Sequence, residues 1–332
     1  CGAAMFIALN IAGVKPGDKV LSNGFTFTAV PSAIHHARAE PVFVESNMEW
    51  GLDAEDLENK VKESGAKVLL LSYMRGHVPN MDAIMAVVKR HDLYLIEDCA
   101  HAYMTFWNGV KLGKFGQIAC FSTQSSKGLS SGEGGILATD DIEIASKALI
   151  YAGAYEKRWN RHFGIDEEMM TNLQNLIPGY SMRMTEICAA LLRPQIPRLV
   201  EINEIHRQNY FYLEGLLENH LNIEIPKPFP EVEMFCDTMQ FHLRGLTRKQ
   251  ADRFIEVMSL EGIDMQIFGV QRNARDFREW QFLKDIEAVE LPVTVEAIEF
   301  ACDLSLQPHL NTSHMDVIAQ VICEVLAFVV KD

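Results

Sequence analysis

The 332-residue chain has no CxxC pair and no tight grouping of cysteine with histidine. Its seven cysteines (Cys1, Cys99, Cys120, Cys188, Cys236, Cys302 and Cys323) are dispersed. That excludes a zinc ribbon or knuckle, leaves no metal site to expect, and points to reduced thiols in a cytoplasmic protein. Positive charge is short, with Lys+Arg 30 against Asp+Glu 45 and a net charge of −15. A broad nucleic-acid or anionic-membrane surface is therefore not expected, although a local basic pocket for a phosphate is compatible. Apolar runs are short: the longest, around 67–74 and 318–330, are brief or broken by charge, and no membrane span is expected. No signal-peptide pattern, internal repeat or low-complexity tract is visible. Gly132 to Gly135 lack the GxGxxG spacing, no acid follows at the required offset, and no P-loop is present, which argues against dinucleotide binding. The chain begins at Cys1 inside a helical pattern, so a preceding segment is expected.

What is present is ample apolar content, 48% of residues, and a regular alternation of strand and helix signals. Strands are expected at 19–22, 41–44, 67–72, 93–97, 118–121 and 136–139. Helices are expected at 3–11, 31–39, 53–64, 81–91 and 141–152. Short apolar strands separated by helices imply a three-layer, mostly parallel α/β sheet. A polar and aromatic loop is expected over 155–164, with the run Tyr155 to Trp159 read as solvated or, alternatively, as lining a substrate entrance. A long helical pattern over 184–216, interrupted by Pro194 and Pro197, leads to strands and helices at 240–244, 248–260 and 315–330. The expected division is a large domain over 1–195, then a linker helix and a smaller α+β domain over 196–332.

Ligands of parallel sheets collect at the carboxyl ends of the strands. Asp98, Ser122 and Lys127 fall there in this reading. Lys127 lies between the hydroxyl-rich Ser122-Thr123-Gln124-Ser125-Ser126 and the glycine-rich Gly132-Glu133-Gly134-Gly135. Taken alone it is a loop lysine, and Asp98 alone is a cap or turn residue. Together, a lysine and an aspartate at strand ends are what an aldehyde cofactor such as pyridoxal phosphate asks of a protein. A carboxylate beside the cationic cofactor ring is expected to titrate low.

Ordered motifs extend this reading. They are Pro16-Gly17-Asp18-Lys19-Val20, Phe25-Thr26-Phe27, Pro41-Val42-Phe43-Val44, Met81-Asp82-Ala83-Ile84, Ile96-Glu97-Asp98, Phe121-Ser122, Gly132-Glu133-Gly134-Gly135, Gly179-Tyr180-Ser181-Met182-Arg183-Met184 and Leu304-Ser305-Leu306. In these the chain resembles the DegT/DnrJ/EryC1/StrS sugar aminotransferases, of aspartate-aminotransferase-like fold. The resemblance implies Lys127 as the Schiff-base lysine and Asp98 as the acid paired with the pyridine nitrogen. It implies His101 near the cofactor's phenolic oxygen, Phe27 stacked on the ring, and Ser122 as a phosphate-binding hydroxyl. Ser181 and Arg183 match positions that reach into a partner's active site, Ser181 toward the cofactor and Arg183 toward substrate, so a homodimer with shared sites is implied.

The sequence departs from the family in three places. Cys1-Gly2 stands where the family has Gly-Thr, leaving the amides of Gly2 and Ala3 at a helix start for the phosphate. Ser181 replaces an asparagine. Gln266 to Arg272 replaces a His-Tyr-containing segment. The implied reaction is transfer of an amino group from glutamate or glutamine to a keto-sugar, nucleotide-linked or not, or a keto-cyclitol, through pyridoxal and pyridoxamine phosphate. Two other readings stay open. One is a pyridoxamine-phosphate-dependent sugar dehydratase, although such relatives carry histidine where this chain has Lys127. The other is a non-catalytic protein of the same fold with a regulatory role.

Overall fold

Residues 68–72, Val-Leu-Leu-Leu-Ser, offer no polar face to a strand. The computed structural model, which describes residues 1–154, 156–161, 166–270 and 273–331, buries all five. Leu69 and Leu71 point into one apolar cluster, Val68 and Leu70 into another on the opposite side. A strand covered on both faces needs no alternation, which is why the run is continuous.

In chain order the first part runs α1 (Gly2–Ile11), β1 (Lys19–Asn23), α2 (Ala29–His36), β2 (Glu40–Val44), α3 (Ala54–Ser64), β3 (Val68–Ser72), α4 (Met81–His91), β4 (Tyr94–Asp98), the short β5 (Phe106–Trp107) and β6 (Val110–Lys111), β7 (Ile118–Ser122), β8 (Gly135–Ala138) and α5 (Ile142–Ala152). The sheet order is β2-β1-β3-β4-β7-β8. It is parallel throughout except for β8, which pairs antiparallel with β7. Helices α1 and α2 cover one face through Met5, Ala8, Val30 and Ile34. Helices α3 and α4 cover the other through Leu57, Val61, Ile84 and Val88. Both of these start on side-chain caps: Asp53 accepts from the Asp56 amide, Asn80 from the Ala83 amide. Such caps contribute about 1 kcal/mol each.

The rest of the chain forms α6 (Glu167–Leu176), α7 (Glu186–Leu192), α8 (Leu199–Leu217), β9 (Ile223–Glu224), β10 (Val232–Glu233), β11 (Thr238–Leu243), α9 (Arg248–Leu260), β12 (Met265–Ile267), α10 (Pro292–Glu299), β13 (Ala301–Ser305) and α11 (Thr312–Val329). Strands β12-β13-β11-β9 make an antiparallel sheet. Its core takes Leu213 and Leu217 from α8, Phe254 and Met258 from α9, and Ile322 and Leu326 from α11. Other parts of this half pack back on the first: Phe277, Trp280 and Leu291 on Phe43, and Phe268 and Ile298 on Phe25 and Trp50.

Some expectations hold and others are corrected. The pattern over 184–216 is interrupted as expected: α7 ends at Leu192, a 3-10 turn spans Ile196–Arg198, and α8 follows. Pro194 and Pro197 lie in that break, where their missing amides cost least. The helix expected at 31–39 starts earlier, at Ala29, and ends at His36. The loop over 155–164 is not wholly solvated, because Trp159 is buried against Ile150 and Met170; Tyr155, His162, Phe163 and Gly164 lie outside the described residues. By length and composition α11 does meet the requirement for a membrane span. Its Met315, Ala319, Ile322, Val325 and Leu326 face lies in the core of the antiparallel sheet.

Candidate active site

The parallel strands end together at Asn23, Ser72, Asp98 and Ser122. Neighbouring acids on β4 face opposite ways, as strand geometry requires. Glu97 turns into the sheet's far side and is fully engaged. It accepts from the Tyr73 hydroxyl at 2.7 Å and from the amides of Gly113, Phe115 and Gly116 at 2.8, 2.9 and 2.7 Å. It is a structural carboxylate that ties down the turn before β7.

Asp98 is buried on the α1 side. Its Oδ1 accepts from the Ala100 amide at 3.1 Å and from the Cys1 thiol at 3.7 Å, and its Oδ2 accepts from the Ser72 hydroxyl at 2.8 Å. The Thr26 hydroxyl donates in turn to Ser72 Oγ at 2.8 Å, and the Asn23 amide brackets the Ser72 backbone at 2.9 and 3.1 Å. This Thr26–Ser72–Asp98 relay was not visible in the sequence. The signal that could have found it is that all three residues lie at or just past strand ends. The low titration expected of Asp98 was tied to a cationic cofactor ring, and the chain's own atoms act in the other direction. Burial pushes its carboxyl up, and the bonds from Ser72 and Ala100 and the charge of Lys127 only partly offset this.

Lys127 stands on the connection between β7 and β8. That connection folds back on itself: Thr123 and Ser125 amides bond to Gly134 and Gly132 carbonyls at 3.1 and 2.9 Å, and the Lys127 amide bonds to Gln124 O at 2.9 Å. Lys127 Nζ lies 2.7 Å from His101 Nε2. Burial, with the charge of Arg75, depresses the lysine to about 8, against the pull of Asp237 and Asp98. Burial also drives His101 well below its usual value, helped by Lys127, Arg75 and Arg275. His101 is therefore neutral and accepts a hydrogen bond from the amine. A methyl at Gly128 would lie 2.5 Å from the buried Phe235 ring. Gly128→Ala is expected to cost about 1–3 kcal/mol by overpacking, seen as a lower midpoint in chemical denaturation.

The remaining expected residues are distributed around this centre. Ser122 is buried at the end of β7, and its carbonyl accepts from the Tyr103 hydroxyl at 2.7 Å. Gly2 and Ala3 open α1, which has no side-chain cap, and they line a cleft of about 1260 Å³ together with Gly134, Gly135 and Arg183. Lys127 and Asp98 do not line that cleft. Arg183 donates to the Gly153 carbonyl, and Ser181 is exposed. Phe27 is 41% exposed with the Arg275 guanidinium 5.5 Å over its ring. Gln266 donates to Asp303 at 2.7 Å, while Gln271 and Arg272 lie outside the described residues.

Sequence reasoning missed the charged residues that surround Lys127. Arg75 follows β3 directly, adopts a left-handed backbone (φ 55°) and pairs with Asp303. Asp237 precedes β11 and is pushed up to about 6, chiefly by burial. Arg275 is depressed to about 10 by burial and by the charge of Arg75. A charge directly after an apolar strand was the available signal for Arg75; nothing local marks Arg275.

Known proteins resemble this chain in sequence and in fold. The chain is 31% identical over 229 residues to the GDP-perosamine synthase of Escherichia coli O157:H7, covering 65% of this chain and 58% of that protein. It spans about half to three-fifths of the length of the curated relatives it matches, with 58%, 52% and 58% of three of them covered. The solved structure of 3-amino-5-hydroxybenzoic acid synthase superposes with a TM-score of 0.83 at 24% identity, covering 98% of this chain and 85% of that one. That of GDP-4-keto-6-deoxymannose-3-dehydratase, with a trapped PLP-glutamate geminal diamine, gives 0.80 at 20% identity, covering 97% and 86%. The fold is therefore aspartate-aminotransferase-like. Residues 1–323 match the sequence pattern of the DegT/DnrJ/EryC1/StrS aminotransferase family, and the chain belongs to that family.

Proposed function

We propose that the protein is a pyridoxal-phosphate-dependent aminotransferase that moves an amino group from glutamate or glutamine to a keto-sugar or keto-cyclitol. The observation that carries this is the half-buried Lys127 amine. It is depressed to about 8 and bonded at 2.7 Å to a neutral His101, and it shares charge coupling with the buried Asp98. The donor set fits the cofactor. Asp98 is a buried carboxylate whose burial disfavours its charge, so a protonated ring nitrogen is a partner it lacks within the chain. The uncapped first turn of α1 offers the amides of Gly2 and Ala3 to a phosphate, and Ser122 adds a hydroxyl. Bound there, pyridoxal phosphate supplies a carbonyl that exchanges amines and a ring that delocalises the electron pair left on a substrate carbon.

The chain's own residues do the rest. Lys127 Nζ, when free and neutral, would take the proton from the substrate carbon that bears the amine and give it back on the far side of the amine nitrogen. His101 orients that amine by accepting its N–H. Ser72, itself held by Thr26, donates to one Asp98 oxygen and the Ala100 amide donates to the other, so the carboxylate cannot rotate away. The reading includes the division into a large cofactor-binding part (1–195) and a linker and smaller part (196–332).

It also includes a homodimer. Leu176 and Ile187, which flank Ser181 and Arg183 in sequence, are 77% and 76% exposed, apolar surface that a second copy would cover. Incubating the protein with pyridoxal phosphate, amide-labelled or amine-labelled 15N donors and a panel of keto-sugars tests the reaction. Label in the product is expected. Loss of water without label would mark a dehydratase instead, and no turnover with any donor would sink both.

A further inference from the structure

The segment that follows β12 is pinned to the strand end that bears Phe27. Phe25 and Asp276 form an antiparallel bridge, and the Thr28 amide bonds to Ala274 O at 2.9 Å. The Ala274 carbonyl also accepts from the Trp280 indole at 3.1 Å, and Asp276 caps the turn at Phe277–Glu279. This anchoring fixes Arg275 between two rings, 5.5 Å from the Phe27 centroid and 5.8 Å from that of Phe268.

The neighbours of Arg275 leave its charge open. Its Nη1 donates to Gln266 Oε1 at 3.2 Å, a neutral acceptor. Its Nε is buried and has no hydrogen-bond partner among the described residues. The Asp303 carboxylate, whose charge acts on Arg275, is already engaged. It pairs with Arg75 and accepts from Gln240 at 2.8 Å and Gln266 at 2.7 Å. Gln266 and Asp303 thus link the two guanidiniums into one array, Arg275–Gln266–Asp303–Arg75. Arg75 also keeps a buried Nε without a partner, and it holds a left-handed backbone that a non-glycine residue adopts only when its surroundings impose it.

A half-buried guanidinium without a countercharge is unfavourable, and so is a buried donor without an acceptor. Such groups persist where a ligand completes them. Guanidinium geometry suits a planar anion that takes two parallel N–H donors. Aromatic faces on both sides keep the fork in one orientation. Both arginines act electrostatically on His101, which touches Lys127, so their charges lie within reach of the reacting amine.

We propose that Arg275, seated between Phe27 and Phe268 and linked through Gln266 and Asp303 to Arg75, is the carboxylate-binding residue of this active site. It selects substrates that carry a carboxylate. The inference rests on the aminotransferase reading for its view of the site, and it deepens that reading by naming what holds the anionic end of a substrate. One chemistry has two sources here: the amino donor's carboxylate or a carboxylate on the keto acceptor.

Calorimetry of the full chain with glutarate and with glucuronate as separate probes tests this. Binding of at least one probe is expected. Arg275→Gln is expected to weaken it about tenfold or more, since a charge-assisted bidentate contact is lost. Arg275→Lys keeps the charge but not the fork and should fall between the two. It also supplies a folded variant if the glutamine form melts early. An Arg275-dependent response to glutarate alone assigns the site to the donor, and one to glucuronate assigns it to the acceptor. Absence of binding to both probes, or equal binding in the wild type and a folded Arg275→Gln, overturns the proposal. If glutarate binding depends on Arg275 but no pyridoxal phosphate is captured on Lys127, the function fails and the carboxylate site stands. Capture without Arg275 dependence does the reverse.

Discussion

Replacing Lys127 by alanine is expected to abolish covalent capture of pyridoxal phosphate and to lower turnover by about 10⁴-fold or more, because one group supplies both the nucleophile and the proton carrier. Capture needs the lone pair of a neutral amine. Burial places the lysine at about 8, so the neutral fraction rises as pH increases through that value. Below it, the wild-type capture rate should fall about tenfold per pH unit. Stopped-flow absorbance across pH 6 to 10 measures this. A rate that keeps rising past pH 10 would place the reacting amine on an ordinary exposed lysine. Noncovalent retention of the cofactor by Lys127→Ala is expected, since the amides of Gly2 and Ala3 and the Ser122 hydroxyl are unchanged.

Asp98→Asn is the second large effect, and it separates function from structure by sign. The substitution keeps the shape of the side chain and removes its charge. Turnover should drop by about 10²–10³-fold, the usual consequence of removing one preorganised electrostatic contact. Stability of the cofactor-free protein should hold or rise. Burial already disfavours the charged carboxyl, and a neutral amide can still meet the Ser72 hydroxyl and the Ala100 amide. Parallel thermal melts and steady-state rates check both. A large loss of stability with little loss of rate would make Asp98 a structural carboxylate, as Glu97 beside it is.

How much of this was legible beforehand depends on the range of the interaction. Local rules sufficed for the parallel sheet. The run 68–72 is apolar on both faces, and Asp53, Asn80 and Asp141 sit where helix caps belong. Lys127 and Asp98 were legible because strand ends are where such sheets place ligands, and ordered family motifs fixed the numbering of both.

The sequence did not reveal groups whose meaning comes from tertiary pairing. Thr26 and Ser72 look like any hydroxyls until the sheet sets them in line with Asp98. Arg275 lies in a segment with no periodicity, and only the Phe25–Asp276 bridge brings it over Phe27. The titration expected of Asp98 counted the cation that would sit against it, whereas the chain by itself contributes mostly burial. Trp159 was misjudged because its charged neighbours suggested solvent, yet its ring packs under α5 and α6.

The most direct test of the central claim is to mix the protein with pyridoxal phosphate, reduce with borohydride, digest, and locate the modified lysine by mass spectrometry. The reading developed here requires a single pyridoxyl adduct on Lys127, suppressed at low pH. An adduct on a different lysine, or none at saturating cofactor, would contradict it.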